Sequence, residues 1–195
     1  GGDVFADLPF ESVSMGQAAR VNVLDFVDSD LLLVEPSPDL TGWSLADLRD
    51  AAALPTVFET DAVVCANWVS MPGMADAFHE LGAAALEPVP FVFDPGDVLG
   101  GDVDDHRTLR EALRALGAAV DVVLSVNPTE LRALTAALPN PPAPPVDDGD
   151  RVRAVREAVD AAAVVKHGKA EALAATDGGV VRVENPTVDA SRQIG

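Results

Sequence analysis

Four stretches of this sequence place polar side chains where an apolar run gives way to a helical pattern. They are Asn67 after DAVVCA, Asp94 and Asp97 in FVFDPGD, Asn127 and Glu130 in VDVVLSVNPTEL, and Lys166, His167 and Gly168 in VVKHGK. Asn127 and Glu130 have the spacing of a helix start: Asn as N-cap, Pro128 as first helical residue, and Glu130 folding back onto the cap. The same arrangement suits an anion, because a helix N-terminus presents unpaired N–H groups and the positive end of its dipole. A carboxylate in that first turn could hold a hydrated divalent cation against a phosphate. The two readings use the same atoms and both stand at this point. Asp94 and Asp97 belong first to a turn, yet two acids at such an edge could sit near a cation or a sugar hydroxyl. Lys166 is one of only two lysines, the other being Lys169. A phosphate contact is one use for it, and chance explains it nearly as well.

Other chemistries are less well supported. His79, His106 and His167 fall in no ligand spacing, and no Ser/His/Asp set, Walker loop or GxGxxG fingerprint is present. Cys65 is the only cysteine, which excludes a disulfide within the chain and reads as a small apolar residue of the interior. Trp68 and His167 read as structural.

The elements that must position these residues follow from periodicity. Residues 19–27 and 31–36 are apolar runs around the turn-like DSD, an expected antiparallel hairpin. Ser44 and Asp47 have the spacing of a capping box opening a helix. From residue 61 a second rhythm begins, with apolar runs near 61–68, 89–94, 120–126 and 164–168, and amphipathic helical patterns between them. Buried strands alternating with helices predict a parallel sheet with right-handed crossovers. In such a sheet ligands gather outside the carboxyl ends of the strands, where all four polar stretches fall. The proline-rich 138–150 reads as an extended surface connection. EALAATDGGVVRVENP reads as a hairpin turning at DGG.

Charge says more about surroundings than about chemistry. Thirteen basic residues against thirty-two acidic ones give a net charge of −19, with acids scattered through every segment. That pattern suits a surface adapted to molar salt, where self-repulsion is screened. It argues against nucleic acid as a partner, since clustered Lys and Arg are missing. No apolar run is long enough to cross a bilayer, and no signal peptide is visible. With the lone cysteine this fits a cytoplasmic protein, free of membrane. The absence of an initiator methionine reads as a start that is processed, engineered or internal to a longer protein.

The order of the pieces resembles the second half of a PfkB/ribokinase-family sugar kinase. A strand ends in FVFDPGD, a second in SVNPTEL, a third in VVKHG, followed by a hairpin and a loop reaching glycine. Asn127 and Glu130 match the family's N-x-x-E. Lys166 and Gly168 match a later strand end loosely, with Glu171 where a further glycine is usual. Gly195 stands where the G-A-G-D signature would begin. The resemblance implies an α/β fold of ribokinase-like three-layer α/β/α type with a mainly parallel sheet, apparently incomplete. It also implies a lid-like antiparallel hairpin in residues 1–40 and a partial nucleotide-binding core in 41–195. The implied reaction moves a phosphoryl group from ATP, or ADP in a close variant, to a carbohydrate hydroxyl of a sugar or sugar phosphate. Glu130 would hold Mg2+ through water, with Asp94 a weaker candidate, and Asn127, Lys166, Gly168 and Gly195 would serve the nucleotide phosphates. The general base would be an Asp beyond Gly195, so the chain as it stands is expected to be inactive or part of the functional protein. The lid strands could also pair two copies into a homodimer. Against this stands a non-catalytic α/β module binding a small molecule or partner, in which Asn127 and Glu130 form only a cap. A nicotinamide oxidoreductase is a weaker third reading, lacking its glycine fingerprint.

Overall fold

The computed structural model describes residues 20–25, 30–35, 37–96, 98–99, 103–169 and 171–186. Strands β1 (Arg20–Asp25) and β2 (Asp30–Glu35) pair antiparallel from Arg20↔Glu35 to Asp25↔Asp30, as expected of two neighbouring apolar runs. They form a two-stranded sheet of their own. Helix α1 (Pro38–Thr41) follows.

The short helix expected after Ser44 is α2 (Leu45–Ala51), and a further helix, α3 (Leu54–Phe58), follows it. The break is local chemistry: Pro55 lacks an N–H and fits only the first turn of a helix, so a new helix starts at Leu54. The capping box at α2 is complete, with the Ser44 N–H donating to Asp47 Oδ2 at 2.7 Å. The Ser44 backbone, then its hydroxyl, hold the Asp47 carboxyl below the usual carboxylate range.

The main sheet runs β3 (Val63–Ala66), β4 (Pro90–Asp94), β5 (Asp121–Val126), β6 (Ala163–Lys166), β7 (Glu171–Thr176) and β8 (Gly179–Glu184), in spatial as in sequence order. The first four strands are parallel; β7 and β8 return antiparallel. Between the parallel strands lie α4 (Met74–Gly82), α5 (Val103–Leu116), and the pair α6 (Pro128–Ala136) and α7 (Asp148–Val159). Residues 139–147, rich in proline, hold no helix or strand, and the rhythm resumes after them.

Strand order and handedness together place the core. Each parallel strand lies beside the previous one, always in the same direction, so right-handed crossovers put every connecting helix on the same face. Phe91, Phe93, Val122, Leu124, Val126, Val164 and Leu173 point to that face and are buried. Phe78 of α4 meets Phe93 edge-on at 5.0 Å between ring centres, and Phe58 of α3 stacks on Phe91 at 6.4 Å. Helices α4 and α5 pack so closely that a Cβ on Gly82 would stand 2.0 Å from the Ala115 carbonyl oxygen.

One strand departs from the expected burial. β3 is a continuous apolar run, yet Val64 is 75% exposed and Ala66 is also exposed. β3 is the outermost strand of this sheet, and its second side chain faces away from the helices.

Candidate functional site

The carboxyl ends of β3 to β6 open on one edge of the sheet, and the reversed start of β7 reaches the same edge. At β5, Asn127 is the N-cap of α6: its Oδ1 accepts from the N–H of Thr129 at 2.8 Å and of Glu130 at 3.0 Å. Glu130 returns the bond, with Oε2 accepting from the Asn127 N–H at 2.8 Å. The capping box is therefore complete. Glu130 is only 6% exposed, unusual for a carboxylate, at a point where the helix dipole favours negative charge.

The β6 end folds against this turn. The His167 N–H donates to the Val126 carbonyl at 3.0 Å. A Cβ on Gly168 would come within 3.3 Å of Pro128 Cγ, so the loop after β6 lies on the first turn of α6. Asn185, just past β8, donates through its side-chain amide to the Gly168 carbonyl. Asn127, Glu130 and Gly168 are thus brought together.

Lys166 takes a different position. It points to the helix-covered face, 4% exposed, with Nζ 3.7 Å from Asp148 Oδ2 and 3.6 Å from Glu171 Oε1. Arg151 bonds Asp148 at 2.8 Å and Arg182 bonds Glu171 at 2.7 Å, extending the pair into a network. Asp148, Arg182 and Asn185 are site neighbours that the sequence did not expose, and Glu171, marked there only as a departure from the motif, is a fourth. Only the DGG turn hinted that residues 182–185 come back beside 168–171, by pairing Glu171 with Glu184.

Asp94 ends β4, where its Oδ1 accepts from the Gly96 N–H at 3.0 Å, the bond of the expected turn. Asn67 holds a left-handed conformation at φ 77°, which asparagine tolerates better than most residues. Its N–H donates to the Asp94 carbonyl at 2.9 Å and its Oδ1 accepts from Ser70 at 3.3 Å. Trp68 packs on Phe78 and Phe93, as a core residue should. A cavity of about 300 Å³ lies beyond it, lined by Met71, Ala75, His106 and Leu109 among others. Nothing in the sequence marked it. Asp97 and Gly195 lie outside the described residues.

Among the described residues no three His, Cys, Asp or Glu side chains gather as a metal cage. Nor is any helix long and apolar enough to cross a membrane. A closed cage is not what Mg2+ asks for, since it keeps several waters and takes one or two carboxylates with phosphate oxygens. The buried carboxylate of Glu130 at a helix N-terminus fits that donor set.

A parallel sheet extended by an antiparallel tail, with helix starts and glycine loops meeting at one edge, defines a ribokinase-like α/β kinase fold. The nucleoside kinase of Burkholderia thailandensis, solved in complex with inosine, shares it with a TM-score of 0.56 and 18% sequence identity. That likeness covers 91% of this chain and 48% of the kinase, so the chain spans about half the length of its structural relative. The pattern of the prokaryotic ketohexokinase family (Khk) matches residues 2–194, and the chain belongs to that family. It is a family of kinases, in agreement with the PfkB carbohydrate-kinase resemblance of the motifs. No curated protein matches the sequence.

Proposed function

We propose that this chain forms the nucleotide-phosphate side of a cytoplasmic sugar kinase that transfers a phosphoryl group from ATP to a carbohydrate hydroxyl. The observation that carries the reading is the buried Glu130 carboxylate at the start of α6, beside the Gly168 loop, in a chain of a ketohexokinase family. The first turn of α6 offers N–H groups and dipole to the phosphates, and Asn127 sets the direction of that turn. Glu130 would orient water on Mg2+, with Asp94 a second carboxylate on the same edge; bound with the nucleotide, the ion supplies neutralisation of phosphate charge. Lys166 acts through the loop it anchors, its charge already met by Asp148 and Glu171. Gly195 would add the glycine turn ahead of the general base. Pairing through β1 and β2 would join two copies by their strand edges.

The complete capping box favours a second reading, in which Asn127 and Glu130 only start a helix and the module is not catalytic. Thermal shift with Mg-ATP and Mg-ADP in concentrated KCl separates the two, comparing the parent with Glu130→Gln. Gln keeps an oxygen for the Asn127 N–H and removes the charge. The kinase reading expects a nucleotide shift that needs Mg2+ and falls about tenfold in apparent affinity in the variant, for a loss of about 1.4 kcal/mol. An unchanged Mg2+ response would leave the cap as the whole role. A larger shift with ADP would name the donor.

A further inference from the structure

The loop after β6 is held in place by three contacts, two of them with the elements beneath it. The Val126 carbonyl at the end of β5 takes the His167 N–H, and Gly168 lies on Pro128 of α6. The third contact comes from the antiparallel tail. Asn185 stands one residue past the last pair of the β7–β8 hairpin, Glu171↔Glu184, and donates its side-chain amide to the Gly168 carbonyl. Pro186 follows it and favours extended backbone at Asn185, so the chain leaves β8 without turning and the half-buried amide reaches across to the loop.

The residue type matters. A carbonyl oxygen only accepts, so its partner must carry a donor. Aspartate matches asparagine in size and is far commoner in this chain, yet an ionised carboxylate has no hydrogen to give.

The bond also fixes a second group. The Gly168–Lys169 peptide is trans, and in a trans peptide the C=O and the following N–H point in opposite directions. With the Gly168 carbonyl turned towards Asn185, the Lys169 N–H is turned away from it. That N–H meets no acceptor among the described residues. The Lys169 side chain is exposed, and it too pairs with no carboxylate among the described residues. Lys166, by contrast, is already matched by Asp148 and Glu171.

We propose that Asn185 is a positioning residue for the nucleotide: its bond to the Gly168 carbonyl aims the Lys169 N–H at a phosphate oxygen held at the start of α6. The inference rests on the phosphoryl-transfer reading and adds to it a residue that touches neither substrate nor metal. Without the bond the peptide is free to turn over, which would set a carbonyl oxygen, not a donor, against the phosphate.

The test is Mg-ATP binding by the whole protein as its own cells make it, with calorimetry for affinity and NMR hydrogen exchange at the Lys169 amide. Asn185→Asp keeps the size and removes the donor. It should bind Mg-ATP about tenfold more weakly, the worth of one hydrogen bond to a charged group. Exchange gives a signature that a merely structural bond would lack. In the parent, Mg-ATP should slow exchange at Lys169 tenfold or more; in Asn185→Asp it should leave the rate unchanged. If the variant does not fold, exchange in the parent decides alone. A parent that binds Mg-ATP, and loses affinity in Glu130→Gln, yet shows no protection at Lys169 overturns this inference and leaves the phosphoryl-transfer reading standing. So does an Asn185→Asp variant that binds as the parent does. A parent that binds neither Mg-ATP nor Mg-ADP overturns both.

Discussion

Lys166 shows how much one side chain can organise in an acidic chain. Its ammonium lies between Asp148 and Glu171, joining the start of α7 to the start of β7. Removing one partner of a buried pair leaves the other charges uncompensated. Lys166→Met should therefore cost about 3 kcal/mol, read as a lowered urea midpoint with unchanged slope. A neutral result would mean that Arg151 and Arg182 suffice to hold the two carboxylates. Cys65 makes an opposite point. Burial pushes its thiol up from 9.0 to about 11, so the folded chain retains the proton that the unfolded chain gives up. Stability from this group is complete below pH 9 and is lost as pH climbs through 11. Alkylation by iodoacetamide at pH 8 should run about 100-fold slower than for a free cysteine, rising tenfold per pH unit. A fast reaction at pH 8 would show that the thiol is open to solvent.

At the scale of elements, the tightest constraint is the approach of α4 to α5. Gly82 leaves room for the Ala115 carbonyl, and a Cβ there would overlap backbone on a neighbouring helix. Gly82→Ala should thus cost about 3 kcal/mol or more, seen as a lower melting temperature; a change within 1 °C would mean that the helices slide apart easily. This contact lay hidden in the sequence, because it joins residues 33 positions apart on two different helices. The parallel strands and the cap at Asn127 were legible, because hydrophobic runs, Pro128 and Glu130 are local signals. The short helix opening at Ser44 was legible from its capping box, and α3 begins where that pattern ends, at Pro55. The network around Lys166 was beyond reach, since it depends on a hairpin returning residues 182–185 to the edge where β6 ends. Burial at β3 misled for a related reason: an apolar run records what a strand will touch, not which partners lie within the described residues.

The molecule as a whole carries a charge that water alone opposes poorly. Thirteen cations against thirty-two anions leave like charges crowded over the helices. Salt at 1 M shortens the screening length to about 3 Å, so the melting temperature should rise steadily between 0.1 and 2 M KCl. A melting temperature that stays level or falls would remove the basis for a surface adapted to salt. The expected lid pairing belongs to this scale too, and sedimentation over the same salt series reads it directly.

The antiparallel tail has a consequence for the order of assembly. β6, β7 and β8 adjoin through short links, whereas joining β5 to β6 closes a loop holding two helices and the proline-rich stretch. Loop-closure entropy grows by about 0.6 kcal/mol for each doubling of length, so the meander is the cheaper nucleus, and it already carries half of the Lys166 network. In pulse-labelled hydrogen exchange during refolding, amides of Leu173 and Val181 should gain protection before those of Val92. A chain that begins to fold at its far end would then recruit the phosphate-facing turn of α6 only afterwards, making the candidate site among the last parts to take shape.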